Sequence, residues 1–302
     1  MPTELGIQTS DLQSPPPQAR EPKRPDREFV RFTRLQRALH ACMIISFISL
    51  ATTGLTLKFS YTPWAATVSR LLGGFQTAGF IHRAAAVLMF GVFCTHIYDL
   101  VQHKKRENKS WLALVFGPDS MLFNRQDLHQ FLATMKWFLG RGERPQYGRW
   151  TYWEKFDYWA VFWGMAIIGG SGLTLWLPNV TASFLPGWAF NVATLIHGEE
   201  AILAAVFLFT VHFFNNHFRP DKHPPPDIVM FTGTVPLEEF RREHTLEYAR
   251  LVESGELEKH LVDAPSRPMT LGSRILGITL IICGLTLLVL VLIGFVGSMG
   301  GG

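Results

Sequence analysis

Five long apolar runs dominate the pattern of hydrophobic and polar positions, at about 40–59, 78–101, 156–177, 192–214 and 275–296. Each approaches or exceeds the roughly 20 residues that carry an α-helix across a hydrocarbon core. The pattern therefore predicts five membrane-spanning helices, spans one to five in chain order. The second, fourth and fifth have almost no polar break, as in FGVFCTHIY, LFTVHFF and ITLIICGLTLLVLVLIGFVG. Small residues interrupt the third in GMAIIGGSG. There Gly164, Gly169, Gly170, Ser171 and Gly172 permit close approach of another helix or of a ring system.

The polar stretches divide the chain. Residues 1–30 are polar and proline-rich, without the apolar core of a cleavable signal peptide, and read as a disordered cytoplasmic tail. Residues 31–218 hold four spans. Their long loop at about 103–153 mixes aromatic and basic residues (DLHQFLATMKWFLG, YGRWTYWEKF), the pattern of short amphipathic helices on the inner membrane surface. Residues 219–272 open with RPDKHPPPD, and the acidic and basic spacing that follows predicts a cytoplasmic polar helical segment, with His244 and His260 facing solvent. Residues 273–302 supply the fifth span and a short outer tail. The expected fold is an all-α integral membrane protein, a four-helix bundle plus a fifth C-terminal transmembrane helix.

Composition agrees with a bilayer. Of 302 residues 48% are hydrophobic and 17% charged, with a mean hydropathy of +0.15, against roughly 25% charge in soluble domains. Basic residues crowd residues 1–39, 103–153 and 219–274, whereas the loop between spans one and two has only Arg70 and that between spans three and four has none. Because cytoplasmic loops retain Lys and Arg, this predicts a multi-pass protein of the bacterial inner membrane with a cytoplasmic N-terminus and a periplasmic C-terminus. The net charge of +4 follows from that asymmetry and does not imply nucleic acid. Cys42, Cys94 and Cys283 lie in apolar runs without CxxC spacing, which excludes a disulfide framework, a cysteine zinc site and covalent haem attachment.

Ionisable groups inside a span are costly and mark function. Six histidines lie within or at the edge of spans: His40, His82, His96, His197, His212 and His217. His82 and His96 are 14 residues apart on span two, roughly 21 Å along one face, and His197 and His212 are 15 apart on span four, roughly 22 Å. Spans two and four run in the same direction, so His82 and His197 share an outer level, and His96 and His212 an inner one. Paired imidazoles across a bundle are what a six-coordinate b-type haem requires, and two such levels would make an electron path through the membrane. A single buried histidine is as readily a satisfied hydrogen-bonding residue; four at two matched depths argue against that. A histidine/glutamate proton relay or transporter without haem is the competing reading, although inverted repeats and broken helices are missing. A haem-dependent redox sensor is a third.

HRAAAVLMFGVFCTH on span two and HGEEAILAAVFLFTVH on span four resemble the haem-binding region of cytochrome b from the bc-type quinol oxidoreductases. The chain also resembles the membrane cytochrome b subunits of formate dehydrogenase and nickel–iron hydrogenase, through an early histidine on span one, the HR opening of span two and the paired histidines of span four. Both resemblances imply an outer haem on His82 and His197. They disagree on the inner one, which the first implies on His96 and His212 and the second on His40 and His212. His40 and His217 together are candidates for a third haem. The implied function is a membrane-anchoring, electron-transfer subunit of a respiratory oxidoreductase, not a self-sufficient enzyme. It would exchange electrons between the quinone pool and a partner, either a periplasmic multihaem cytochrome c or a dehydrogenase or hydrogenase subunit.

Other polar residues sit near these levels. Arg83, beside His82, suits a haem propionate, with snorkelling at the helix end as the alternative. Glu199 and Glu200 are candidates for protons from a quinol or for local pairing. Lys155, Asp157 and Tyr158 lie where a quinone headgroup would meet the inner haem, with an interfacial aromatic belt as the weightier reading for the Trp and Tyr residues there.

Overall fold

Three helix starts are written in the sequence as capping boxes, in which a side chain at the cap and another three residues on satisfy each other's backbone amides. Thr33 and Gln36 open α1 (Arg34–Lys58), Asn124 and Asp127 open α4 (Arg125–Phe138), and Thr151 and Glu154 open α5 (Tyr152–Gly164). Between them lie α2 (Pro63–Leu71), which starts with Pro at its first position, and α3 (Phe75–Arg106). The computed structural model describes residues 27–299 apart from 107–109, 111, 113–115, 118, 221 and 223.

After α5 the chain passes through a π-turn, Met165–Gly169, into α6 (Gly170–Trp176). A single turn, α7 (Pro178–Thr181), precedes α8 (Trp188–Phe207), which two π-turns, Leu208–His212 and Phe214–Phe218, prolong. Short helices α9 (Val229–Thr232), α10 (Leu237–Glu243) and α11 (Thr245–Glu253) follow, and α12 (Arg267–Met299) ends the described chain. Five helices have the length and apolarity to cross a membrane: Arg34–Lys58, Phe75–Arg106, Tyr152–Trp176, Trp188–Phe218 and Arg267–Gly297. The molecule is an all-α integral membrane protein with the expected five spans. Their ends reach past the apolar runs because the capped polar turns, such as Arg34–Arg37, are helical too.

Spans one and two form one antiparallel pair and spans three and four another, and the pairs meet chiefly where span one touches span four. Spans two and four make at most slight backbone contact among the described residues. Span five lies on spans one and four. Its glycines receive their rings: a Cβ on Gly284 would stand 2.5 Å from Phe209, and one on Gly294 2.6 Å from Phe59. Leu55, Phe59, Ile202, Ala205, Phe209, Phe213, Ile281, Leu287 and Val291 form the buried core there.

At the basic end the structure departs from the sequence reading. Arg27–Val30, assigned to the tail, is strand β1, the centre of a small antiparallel sheet with β2 (Thr234–Pro236) and β3 (Leu261–Asp263) in the order β2-β1-β3. Phe29 faces Val235 and Leu261 across the two ladders and stacks on Phe240 at 3.7 Å. A polar segment read by charge spacing alone hides this sheet, because each strand is only three or four residues long. The rest of the tail, 1–26, and the last residues, 300–302, lie outside the described residues.

The segment 219–272 is thereby a folded cap with its own core of Phe29, Val235, Phe240, Leu251 and Leu261. Ions hold it to the bundle. Buried Arg31 reaches Glu247 (3.4 Å), Glu154 (3.2 Å) and the carbonyl of Arg149. Within the cap, Lys222 meets Asp227, Glu239 and Glu243 at 2.7–2.9 Å. Burial works against the Lys222 ammonium, but the three carboxylates outweigh it and raise its pKa above the ordinary lysine value. His244 is buried, contrary to expectation, and its Nδ1 donates to the Gly148 carbonyl at 2.7 Å; His260 is exposed. In α4, Asp127, Gln130 and Thr134 face the protein while Leu128, Phe131 and Leu132 face outward, the arrangement of a helix lying against lipid.

Candidate functional site

His82 on α3 and His197 on α8 face each other across the space between spans two and four, their ring centres 6.1 Å apart and their planes inclined at 78°. Their other contacts fix which nitrogen is free. Thr53 donates its hydroxyl proton to the Ser49 carbonyl (2.6 Å), so its Oγ1 accepts from His82 Nδ1 at 3.0 Å. His197 Nδ1 lies 3.0 Å from the Ile168 carbonyl, which only accepts. With the proton on Nδ1, each imidazole keeps its Nε2 lone pair for a metal.

Local backbone makes this possible. Ile168 sits in the π-turn Met165–Gly169, where the widened turn loosens the usual i to i−4 ladder and leaves the carbonyl able to accept from His197. The Ser171 hydroxyl lies 3.4 Å from the same Nδ1. Two of the small residues of span three have close neighbours on other spans. A Cβ on Gly172 would be 2.9 Å from His197 Cε1, and one on Gly169 3.1 Å from Phe90. Gly54 is the counterpart on span one, 3.2 Å from His82 Cε1 by the same measure.

Two imidazoles on one metal, each bonded at about 2 Å with the bonding nitrogen roughly 1.1 Å from its ring centre, put the centres roughly 6 Å apart. The observed separation fits this, as do the two Nδ1 donors and the thin contact between spans two and four. The residues present therefore suit an iron macrocycle held by His82 and His197.

Toward the basic end the histidines are not equivalent. His212 closes the π-turn Leu208–His212, and its Nδ1 lies 2.8 Å from Asp157 Oδ2, a carboxylate that fixes the tautomer and again frees Nε2. Asn216 Nδ2 donates to the His212 carbonyl at 2.9 Å. His40 on span one lies within electrostatic range of both His212 and His217. His96 instead has its Nε2 3.0 Å from the Tyr158 hydroxyl, with Phe162 beside the ring. His217 Nδ1 accepts the Asp227 amide at 3.2 Å, which places the neutral ring's proton on Nε2. The structure thus brings His40 within electrostatic range of His212 and His217 and sets His96 against span three.

Residues 31–219 match the prokaryotic cytochrome b561 family over more than half of the chain. The chain belongs to that family. It is a b-type cytochrome, a multi-pass protein of the bacterial inner membrane. It is also similar to the cytochrome b556(fdo) subunit of formate dehydrogenase from Escherichia coli K12, with 24% identity over 186 residues, covering 61% of this chain and 77% of the relative. The same subunit from Escherichia coli O6:H1 and O157:H7 matches to the same extent. The family match ends at residue 219, so the cap and span five of this cytochrome lie beyond it.

The remaining polar residues take defined places in the cytochrome. Arg83 is exposed next to His82. Glu199 pairs with Lys58 at 2.7 Å, and Glu200 accepts from Trp163 Nε1 at 3.3 Å. Lys155 is buried against Asp127 (2.9 Å) and the Leu122 carbonyl (3.2 Å), a tie between α5 and α4. Asp157 Oδ1 is buried without a hydrogen-bond partner. Sequence reasoning missed Thr53, the Ile168 carbonyl, the link between Asp157 and His212 and the link between Tyr158 and His96. The one signal for the third was a lone carboxylate within an apolar span.

Proposed function

We propose that this cytochrome is the membrane-anchoring electron-transfer subunit of a respiratory oxidoreductase, linking the quinone pool to a partner redox subunit through two bis-histidine haems. The observation that carries the reading is the His82–His197 pair, 6.1 Å between ring centres with both Nδ1 atoms engaged by oxygen. Those two residues hold the outer group, and His40 and His212 hold the inner one. The tautomer imposed by Asp157 on His212 and the engagement of His96 Nε2 by Tyr158 favour that inner pair over His96 with His212. The Nε2 proton implied for His217 argues against a third group there.

Haem b bound at these histidines would supply reversible one-electron transfer. The protein's part is to fix ligand tautomers, exclude water and handle protons. Asp157, with one oxygen on His212 and the other unsatisfied, is the acceptor for a proton delivered by a quinol at the basic end. The basic loops orient that end toward the cytoplasm, so the C-terminus and the Lys58–Glu199 pair face the periplasm. The formate dehydrogenase relatives suggest a partner of the dehydrogenase or hydrogenase kind docked on the outer face, with a multihaem cytochrome c as the alternative.

A pyridine haemochrome assay on detergent-purified protein, referenced to protein concentration, tests the reading. It should give about two non-covalent b haems per chain. About one would remove the inner pair, and none in folded protein would overturn electron transfer in favour of a histidine proton relay.

A further inference from the structure

Outside the histidine site, a cleft of about 560 Å³ opens at the basic end between spans one and five, lined by Arg34, Arg37, Ala38, Ala41, Met230, Phe231 and Leu276. Arg34 and Arg37 stand in the first turn of α1, and Ala41 lies roughly 6 Å beyond Arg37 and roughly 10 Å beyond Arg34 along its axis. The mouth is cationic and the floor apolar. Among the described residues neither arginine forms an ion pair. Arg37 donates through Nη2 to the Phe231 carbonyl, and its Nε is buried without any acceptor. A buried guanidinium N–H without a partner is an uncommon cost in a native fold.

We propose that this cleft binds one anionic phospholipid, its phosphate held by Arg34 and Arg37 and an acyl chain lying along Ala38, Ala41, Phe231 and Leu276. Guanidinium groups pair with phosphate oxygens through charge-assisted hydrogen bonds, and Arg34 and Arg37 both line the cleft. The depth is right for a lipid. A soluble anion would use the mouth alone and leave the apolar floor uncovered, whereas a phospholipid presents charge and hydrocarbon in that order from the interface inward. Gly233 shapes the mouth. At φ 86° it adopts a backbone conformation that side chains disfavour, and a Cβ there would stand 2.8 Å from Arg37 Cδ. Because Met230, Phe231 and Leu276 come from beyond the family match, the cleft is a feature of the cap and span five.

The test is native mass spectrometry of the delipidated full-length protein after titration with dioleoylphosphatidylglycerol or dioleoylphosphatidylcholine. We expect retention of one phosphatidylglycerol in preference to phosphatidylcholine, with no displacement by millimolar inorganic phosphate. Arg34→Gln, on an exposed side chain that the fold does not use, should lower retention roughly tenfold, the worth of one charge-assisted contact. Leu276→Trp should lower it by filling the floor without changing charge. Equal retention of both lipids, or unchanged retention in both variants, would overturn the proposal. Displacement by inorganic phosphate would overturn it in favour of a free anion site.

Discussion

At the scale of single residues, a histidine's role follows from which ring nitrogen its neighbours occupy. His82, His197 and His212 each turn Nδ1 toward an oxygen, whereas His96 spends Nε2 on Tyr158 and His217 accepts an amide at Nδ1. Replacing His96 therefore removes a hydrogen bond and should leave the haem content intact, while His40→Ala and His212→Ala should each remove the second haem. Reduced-minus-oxidised spectra with haem-to-protein ratios check this; loss of a haem in His96→Ala with full retention in His40→Ala would reverse the inner assignment. That His82 and His197 face each other was legible in the sequence because intramembrane imidazoles are rare and their spacing sets depth. At the inner level the sequence left His40 and His96 open. Counting 100° per residue from His197 to His212 assumes an unbroken α-helix, and the π-turn before His212 widens that step. Depth survives such a change better than azimuth does.

At the scale of elements, the five spans were readable from hydropathy, but the reason for the small residues of span three was not. A run of glycine and serine states that something approaches closely without saying what. In the structure it is an imidazole: Gly172 lies under His197, and the neighbouring π-turn presents the Ile168 carbonyl to the same ring. A methyl group 2.9 Å from His197 Cε1 cannot be absorbed without moving the ring, and the ring is held at both Nδ1 and its helix. Gly172→Ala should thus cost the outer haem or shift its midpoint potential, leaving the inner haem signal unchanged. Gly170→Ala is the control, since a Cβ there meets nothing within 4 Å. Redox titration of both variants decides the point, and wild-type behaviour in Gly172→Ala would show that span three tolerates withdrawal from the site.

At the scale of the whole molecule, span five and the cap surround the family-matched bundle on two sides, and the cap is fastened to the bundle by buried charge. The strand β1 threads the cap before span one begins, so the two cannot separate without breaking the sheet as well as the ions around Arg31. His244 makes that junction sensitive to acid. Burial first, and then the Arg31 guanidinium, lower its pKa from 6.5 to about 3; Glu154 and the Gly148 carbonyl act the other way, and Lys222 adds to the lowering. The folded cap holds the ring neutral where the unfolded chain would protonate it. Its contribution is accordingly complete above about pH 6.5 and is lost as pH falls toward about 3. Hydrogen exchange measured in nanodiscs from pH 7 to 4.5 should show β1, β2 and α11 losing protection well before spans one to four. His244→Gln, which keeps a neutral donor for Gly148, should flatten that dependence. The same acid profile in the variant and the wild type would remove His244 from the account.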